Sequence, residues 1–258
     1  MSVVSNKIAL ESFEEVQEYY HSRGWTDGFP IVPPTLEAVQ ACLDWAYMRN
    51  DELIGIEPVR ERPITAEKLA ISAVMAGCLP IHFPVIVSAW SAMLKEEFLL
   101  HGATASTGGC AVFMVLNGPI RKTLGCENQF NALGSSDRAT SVIGRAIRLG
   151  LIKILNVSPG TIDRSTLGHP GKISYCVAED EVGTNLGSLA EFRGFPSDIS
   201  TVTVFAASSP RQIMNEWTED PKEILDTYAS EMKSNLRNYS ICLLYTSDAA
   251  DERSSVDL

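Results

Sequence analysis

The chain has little positive charge in any one place, few histidines and no long greasy stretch. Against 32 acidic residues stand 21 Lys and Arg, a formal net charge of −11, and no cluster of bases relieves it. Such a balance repels phosphate backbones and anionic lipid, which argues against nucleic acid and membrane surfaces as partners. No apolar run approaches the ~18 residues of a membrane span, and residues 1–10 lack the basic and then apolar order of a secretory leader. The expected location is therefore the cytoplasm. The six cysteines are widely spaced with no Cys-x-x-Cys pair, so neither a disulfide framework nor a zinc knuckle is expected, and the metal-ligand set is expected to be empty. What is present is ordinary globular composition, 45% hydrophobic and 21% charged.

The tail reads differently from the rest. Residues 242–251 back-translate in order onto the transposase end and read primer of a shotgun library, and Val256-Asp257-Leu258 fits a flow-cell adapter. Residues 242–258 are accordingly expected to be an artefact on a C-terminally truncated fragment, and fold reasoning stops at residue 241. The remaining residues, about 240, suffice for one large domain or two small ones.

Helix punctuation dominates the first hundred residues. Ser12 and Glu15 have capping-box spacing, Val16, Tyr19 and Tyr20 share a face, and Gly24 suits a helix end. Pro30, Pro33 and Pro34 then exclude a helix. Thr35 caps a helix over 36–48, Thr65 precedes one ending at Ala76 before Gly77, and Pro84 opens one over 84–98. Later the pattern changes. The apolar run 111–116, closed by Asn117-Gly118-Pro119, suits a doubly buried strand. A helix over 137–151 capped by Ser135 or Ser136, strands at 173–177 and 201–206, a helix over 221–236 and a further strand opening at Tyr239 complete the reading. The fold class is α/β of the mixed α+β kind. A mostly helical region, 1–100, and a mixed sheet flanked by helices, 101–241, form one continuous fold.

The strongest chemical feature is the polar loop 158–172, since a long loop inside a compact domain is uncommon unless functional. Gly168 and Gly171 allow close backbone approach, Ser165, Thr166 and His169 offer polar groups, Asp163 can orient them, and Lys172 supplies charge for an anion. Residues 134–138 lead into a helix bearing Arg138, Arg145 and Arg148, which read either as anion ligands or as partners of the many acids. Asp27 and the run Glu179, Asp180, Glu181 are candidate bases. In an extended chain at most two of the three can face one site. Cys78, four residues before His82, is a candidate thiol nucleophile, with a structural cysteine as the alternative.

Five segments, Gly24 to Thr35, Met75 to Cys78 with Phe83 to Val85, Leu116 to Arg121, Ile143 to Leu149 and Asp163 to Lys172, together resemble the UGSC (seleno)protein family. The likeness spans nearly all of residues 1–241. A Sec-Gly-Ser-Cys motif implies thiol or selenol redox chemistry, but this sequence contains no Cys-Gly-Ser-Cys. The expectation is an enzyme acting on a small polar or anionic metabolite, with Cys78, Asp163 and Lys172 as catalytic candidates. Asp27, Asn117, Arg138, Arg145, Thr166, Gly168 and His169 are the binding candidates, and the cofactor is unknown. Two alternatives stay open. One is a non-catalytic subunit serving a redox partner protein or a second copy of the chain; the other is a metal-dependent hydrolase or lyase.

Overall fold

The computed structural model describes residues 5–134, 137–183, 185–239 and 255–257. The first helix, α1 (Phe13–Ser22), begins where the Ser12 hydroxyl accepts the Glu15 N–H at 3.1 Å. The reciprocal half of the capping box is shifted by one residue, because the Glu15 carboxylate takes the N–H of Glu11. Gly24 turns the chain out with φ +62°, and residues 25–35 form neither helix nor strand. Thr35 then caps α2 (Leu36–Trp45) by accepting from Ala38.

A two-stranded hairpin follows that the sequence pattern had concealed: β1 (Leu53–Glu57) antiparallel to β2 (Arg62–Thr65). Gly55, Pro58 and Pro63 blur any strand pattern there. The hairpin is held by fully buried Glu57, which accepts from the backbone and side chain of Arg60. Next come α3 (Ala66–Ala76), ended by Gly77 at φ +93°, a 3-10 turn at Pro80–His82, and α4 (Phe83–Met93). The helix expected over 84–98 stops at Met93; a separate 3-10 turn, Glu96–Phe98, and a short α5 (Leu100–Thr104) take its place.

In the second half β3 (Ala111–Asn117) leads through α6 (Ile120–Thr123) into α7 (Arg138–Leu155). The cap of α7 is Asp137, whose carboxylate accepts from Thr140; Ser135 and Ser136 lie outside the described residues. After a 3-10 turn, Pro170–Lys172, the chain forms β4 (Cys176–Ala178), α8 (Leu189–Phe192), β5 (Thr201–Ala207), α9 (Pro221–Tyr239) and β6 (Ser255–Asp257). Tyr239 ends a helix instead of opening a strand, residues 240–254 lie outside the described ones, and β6 falls within the tail. The sheet runs β4-β3-β5-β6, with β3 parallel to β4 and antiparallel to β5, so the fold is mixed α/β.

One apolar core joins both halves. Val112, Met114 and Leu116 of β3 and Val202 and Val204 of β5 share a face, as alternation requires, and cluster with α3, α4 and α7. Gly150 lets α7 approach α4, since a Cβ there would stand 2.7 Å from the Trp90 ring.

His82 is buried at the start of α4, and its Nδ1 accepts the Leu79 N–H. Burial, with the Arg138 charge beside it, pushes this imidazole down to about 4. A lowered folded value means that only the unfolded chain gains the proton as pH falls below 6.5. Stability is therefore full above 6.5 and declines towards pH 4, by about 3 kcal/mol in total. Urea titrations across that range are expected to show the decline, and His82→Gln, which can still accept from Leu79, is expected to flatten it.

Candidate functional site

The three arginines of α7 diverge to three different tasks. Arg138 donates to the Gly77 carbonyl at 2.8 Å, fixing the turn that ends α3. Arg145 grips Asp27 through two bonds of 2.8 and 2.9 Å, and also donates to the Pro30 carbonyl. The Asp27 side chain is 3% exposed. Asp27 and Arg145 thus tie the proline-rich loop to α7 and leave no free fork for a ligand. Of the three arginines, only Arg138 lies in the first turn of α7.

Arg148, further along, reaches the loop that the sequence singled out. Its Nη1 donates to the Val157 carbonyl and lies 3.7 Å from Asp163 Oδ2. Asp163 is 5% exposed and organises the loop around itself. Its Oδ1 accepts from the backbone and hydroxyl of Ser165, at 3.1 and 2.5 Å, while Lys172 Nζ reaches both its oxygens at 2.9 and 2.8 Å. The Lys172 ammonium also donates to Ser165 Oγ at 2.6 Å. Burial alone would raise the Asp163 carboxyl, but the donors from Lys172 and Ser165 outweigh it and hold the pKa below the ordinary value.

Thr104, Cys110, Gly144, Arg148, Asp163 and Lys172 line a recess of about 20 Å³ beside this network. That admits one water-sized group. The charges at the recess do not cancel: Arg148 and Lys172 share one carboxylate, and Asp27 is already engaged by Arg145. Burial pulls the Arg148 pKa down against the pull of Asp163, yet a guanidinium keeps its charge. The recess therefore carries one surplus positive charge. Of the five described cysteines, Cys110 is the one lining it.

The remaining loop residues shape the approach. Thr166 donates its N–H to the Thr107 carbonyl. Gly168, at φ +68°, lies against Gly109 and the Lys172 stem. His169 Nδ1 accepts from Gly171 and its ring meets Tyr175 edge-on at 5.8 Å, with burial lowering its pKa.

Two candidates stand elsewhere. Cys78 is buried, and its thiol points at the Val142 carbonyl at 3.5 Å. Burial first, then Cys42, pushes its pKa far up despite Arg138 and Arg145, which leaves a neutral thiol and not the thiolate a nucleophile requires. Among the described residues no bond joins it to Asp163 or Lys172. Asn117 sits at the opposite end of β3. Its amide donates to Glu179 at 2.5 Å and Glu181 at 2.8 Å, and Glu181 also takes the Gly118 N–H and an ion pair from buried Arg121. Alternation does put two of the three acids on one side, while Asp180 accepts from Gly183. Arg121 escaped the sequence reading. A cation four residues beyond a buried asparagine, opposite two glutamates, was its signal.

Among the described residues no three His, Cys, Asp or Glu side chains converge as metal ligands, and no helix is long and apolar enough to cross a membrane. No family model, curated protein or solved structure matches the chain.

The assignment of Asp27 to loop anchoring is open to measurement. Asp27→Ala leaves Arg145 largely buried without its partner and is expected to cost about 3 kcal/mol in urea unfolding. Adding Arg145→Met to that variant is expected to restore part of the loss, whereas additive losses would remove the pair from the account.

Proposed function

We propose that the protein is an enzyme acting on a small metabolite with an anionic group, bound at the recess between α7 and the loop 158–172. The observation that carries this reading is the surplus positive charge at Arg148 and Lys172 beside a half-enclosed recess. Enclosed charge of this kind is costly unless an anion completes it. Arg148 and Lys172 bind the anion, and Asp163 and Ser165 hold the ammonium in place. Where charge develops on a substrate oxygen, the same two cations stabilise it without needing to reorganise. Ser165 Oγ donates to Asp163 and accepts from Lys172, so the hydroxyl fixes the ammonium against the carboxylate. Thiol chemistry at this recess would draw on Cys110, which lines it, and not on Cys78.

Titration calorimetry of the full chain with phosphate, acetate and pyruvate, at constant ionic strength, tests the reading. At least one anion is expected to bind, and Lys172→Met and Arg148→Met are each expected to weaken it about 10- to 100-fold, the worth of a charge-assisted hydrogen bond. Arg138→Met, which loses only a contact to Gly77, is expected to bind as the parent does. Equal binding by Lys172→Met and the parent overturns the assignment.

A further inference from the structure

A second cavity, of about 300 Å³, lies beside the turn Pro170–Lys172, lined by Tyr175 with Leu133, Pro170, Ile173 and Pro210 around it. Its walls are fixed before anything enters. The Tyr175 ring packs on Phe113 with centres 4.4 Å apart, meets His169 edge-on, and its hydroxyl donates to the Ser208 carbonyl. Three backbone N–H groups tie the turn to itself: Gly171 donates to His169 Nδ1, Lys172 to the His169 carbonyl and Ile173 to the Pro170 carbonyl. Gly171 closes the side towards the charged recess, since a Cβ there would stand 2.7 Å from the Tyr175 ring. Walls held in this way lose little freedom when a ligand arrives. Leu133 and Ile173 meanwhile remain 50% and 41% exposed, apolar surface that the fold itself leaves in water.

The lining selects the chemistry of the occupant. Among the described residues no Lys, Arg, His, Asp or Glu lines the cavity, so a charged ligand would give up hydration there without meeting a counter-charge. An aromatic ring beside aliphatic side chains and prolines suits a flat apolar ring, which can lie face-on or edge-on against Tyr175. Two hydroxyls supply polar contacts. Ser174 Oγ donates to the Ser141 carbonyl at 2.8 Å and can still accept from a ligand, while exposed Ser209 meets the Pro210 carbonyl of its own neighbour at 3.3 Å. The volume is at the lower end of what ligand pockets have, which fits a small ring compound. We propose that this cavity is a second binding site, separate from the anion recess, for an uncharged aromatic compound that carries a hydrogen-bond donor. The inference does not rest on the anion-binding reading, because no charged group takes part and the Gly171 backbone stands between the two spaces.

Indole, an uncharged ring system with one N–H, is the probe, titrated calorimetrically into the full chain with phosphate as the competitor. It is expected to saturate a single site. Ile173→Asp and Leu133→Asp each place a carboxylate at a partly exposed position of the lining. Each variant is expected to keep the urea midpoint of the parent and to weaken indole at least about tenfold, since a solvated charge resists burial under a ring. Lys172→Met and saturating phosphate are expected to leave indole binding unchanged. Absence of saturable binding up to the solubility of indole overturns the proposal, as does parent-like binding by both variants. Displacement of indole by phosphate, or its loss in Lys172→Met, overturns the separateness of the two sites. Indole bound with no anion bound overturns the proposed function and leaves this site standing.

Discussion

The enclosure of α7 sets the terms for everything around it. Twelve of its eighteen residues are buried, packed between α3, α4 and the sheet, so its polar groups have only one strip along which to leave. Positions 138, 145 and 148 fall within about 80° of one another around the helix, because a seven-residue step nearly closes two turns. Three arginines on one strip of a surrounded helix cannot all point into water. Each instead collects a stretch of loop: the turn at Gly77, the segment from Asp27 to Pro30, and the loop around Asp163. Lys153 extends the strip, its ammonium 4.1 Å from the centre of the Trp25 ring.

These contacts matter less for net stability than for register. A buried ion pair roughly repays its own desolvation, but breaking one leaves a stranded charge. The loops are thereby held to single positions at modest net gain. The hairpin of β1 and β2 obeys the same logic at the far end of α7, where Arg60 and Arg62 donate to the carbonyls of Leu155 and Ile154. Cations at a helix C-terminus meet its partial negative charge, so both ends of the contact favour the arrangement. At Arg148, which shares Asp163 with Lys172, this stapling leaves charge over beside a recess, and the candidate site is there.

Local signals were legible in the sequence and distant ones were not. Ser12, Thr35 and Gly77 mark helix ends because each acts on its immediate neighbours. The hairpin was missed because Glu57 is stabilised by Arg60 while Arg60 in turn reaches Leu155, a partner 95 residues away. Residues 94–98 were read into the helix that Pro84 opens, since Pro marks a start and no end; the chain instead breaks after Met93 and re-forms as a 3-10 turn that buries Phe98. At the site, Asp163 and Lys172 were readable from a long polar loop, since their pairing is local. Arg148 stood fifteen residues upstream of Asp163 on a helix whose face only packing determines. The same limit applies to Cys78: a thiol near a histidine reads as reactive until α7 closes over it and presents the Val142 carbonyl.

The two polar clusters at opposite ends of β3 explain which end is available. In open α/β sheets ligands commonly settle beyond the carboxyl ends of parallel strands. Here that end, past Asn117 and Ala178, is filled by the protein's own groups. Glu181 is met by Arg121, Gly118 and Asn117, Glu179 by Asn117 and Leu189, and a side chain on Gly118 would stand 2.2 Å from the Ile199 carbonyl. Two carboxylates against one guanidinium also make it net negative, which turns anions away. The amino end of β3, where Cys110 and Ala111 meet α7, has the opposite sign and an opening. Under the proposed function, an acidic protein must keep its own carboxylates away from the anion site. This one does so by committing Asp27 to Arg145, Glu179 and Glu181 to the far edge of the sheet, and only Asp163 to the two cations that face the recess.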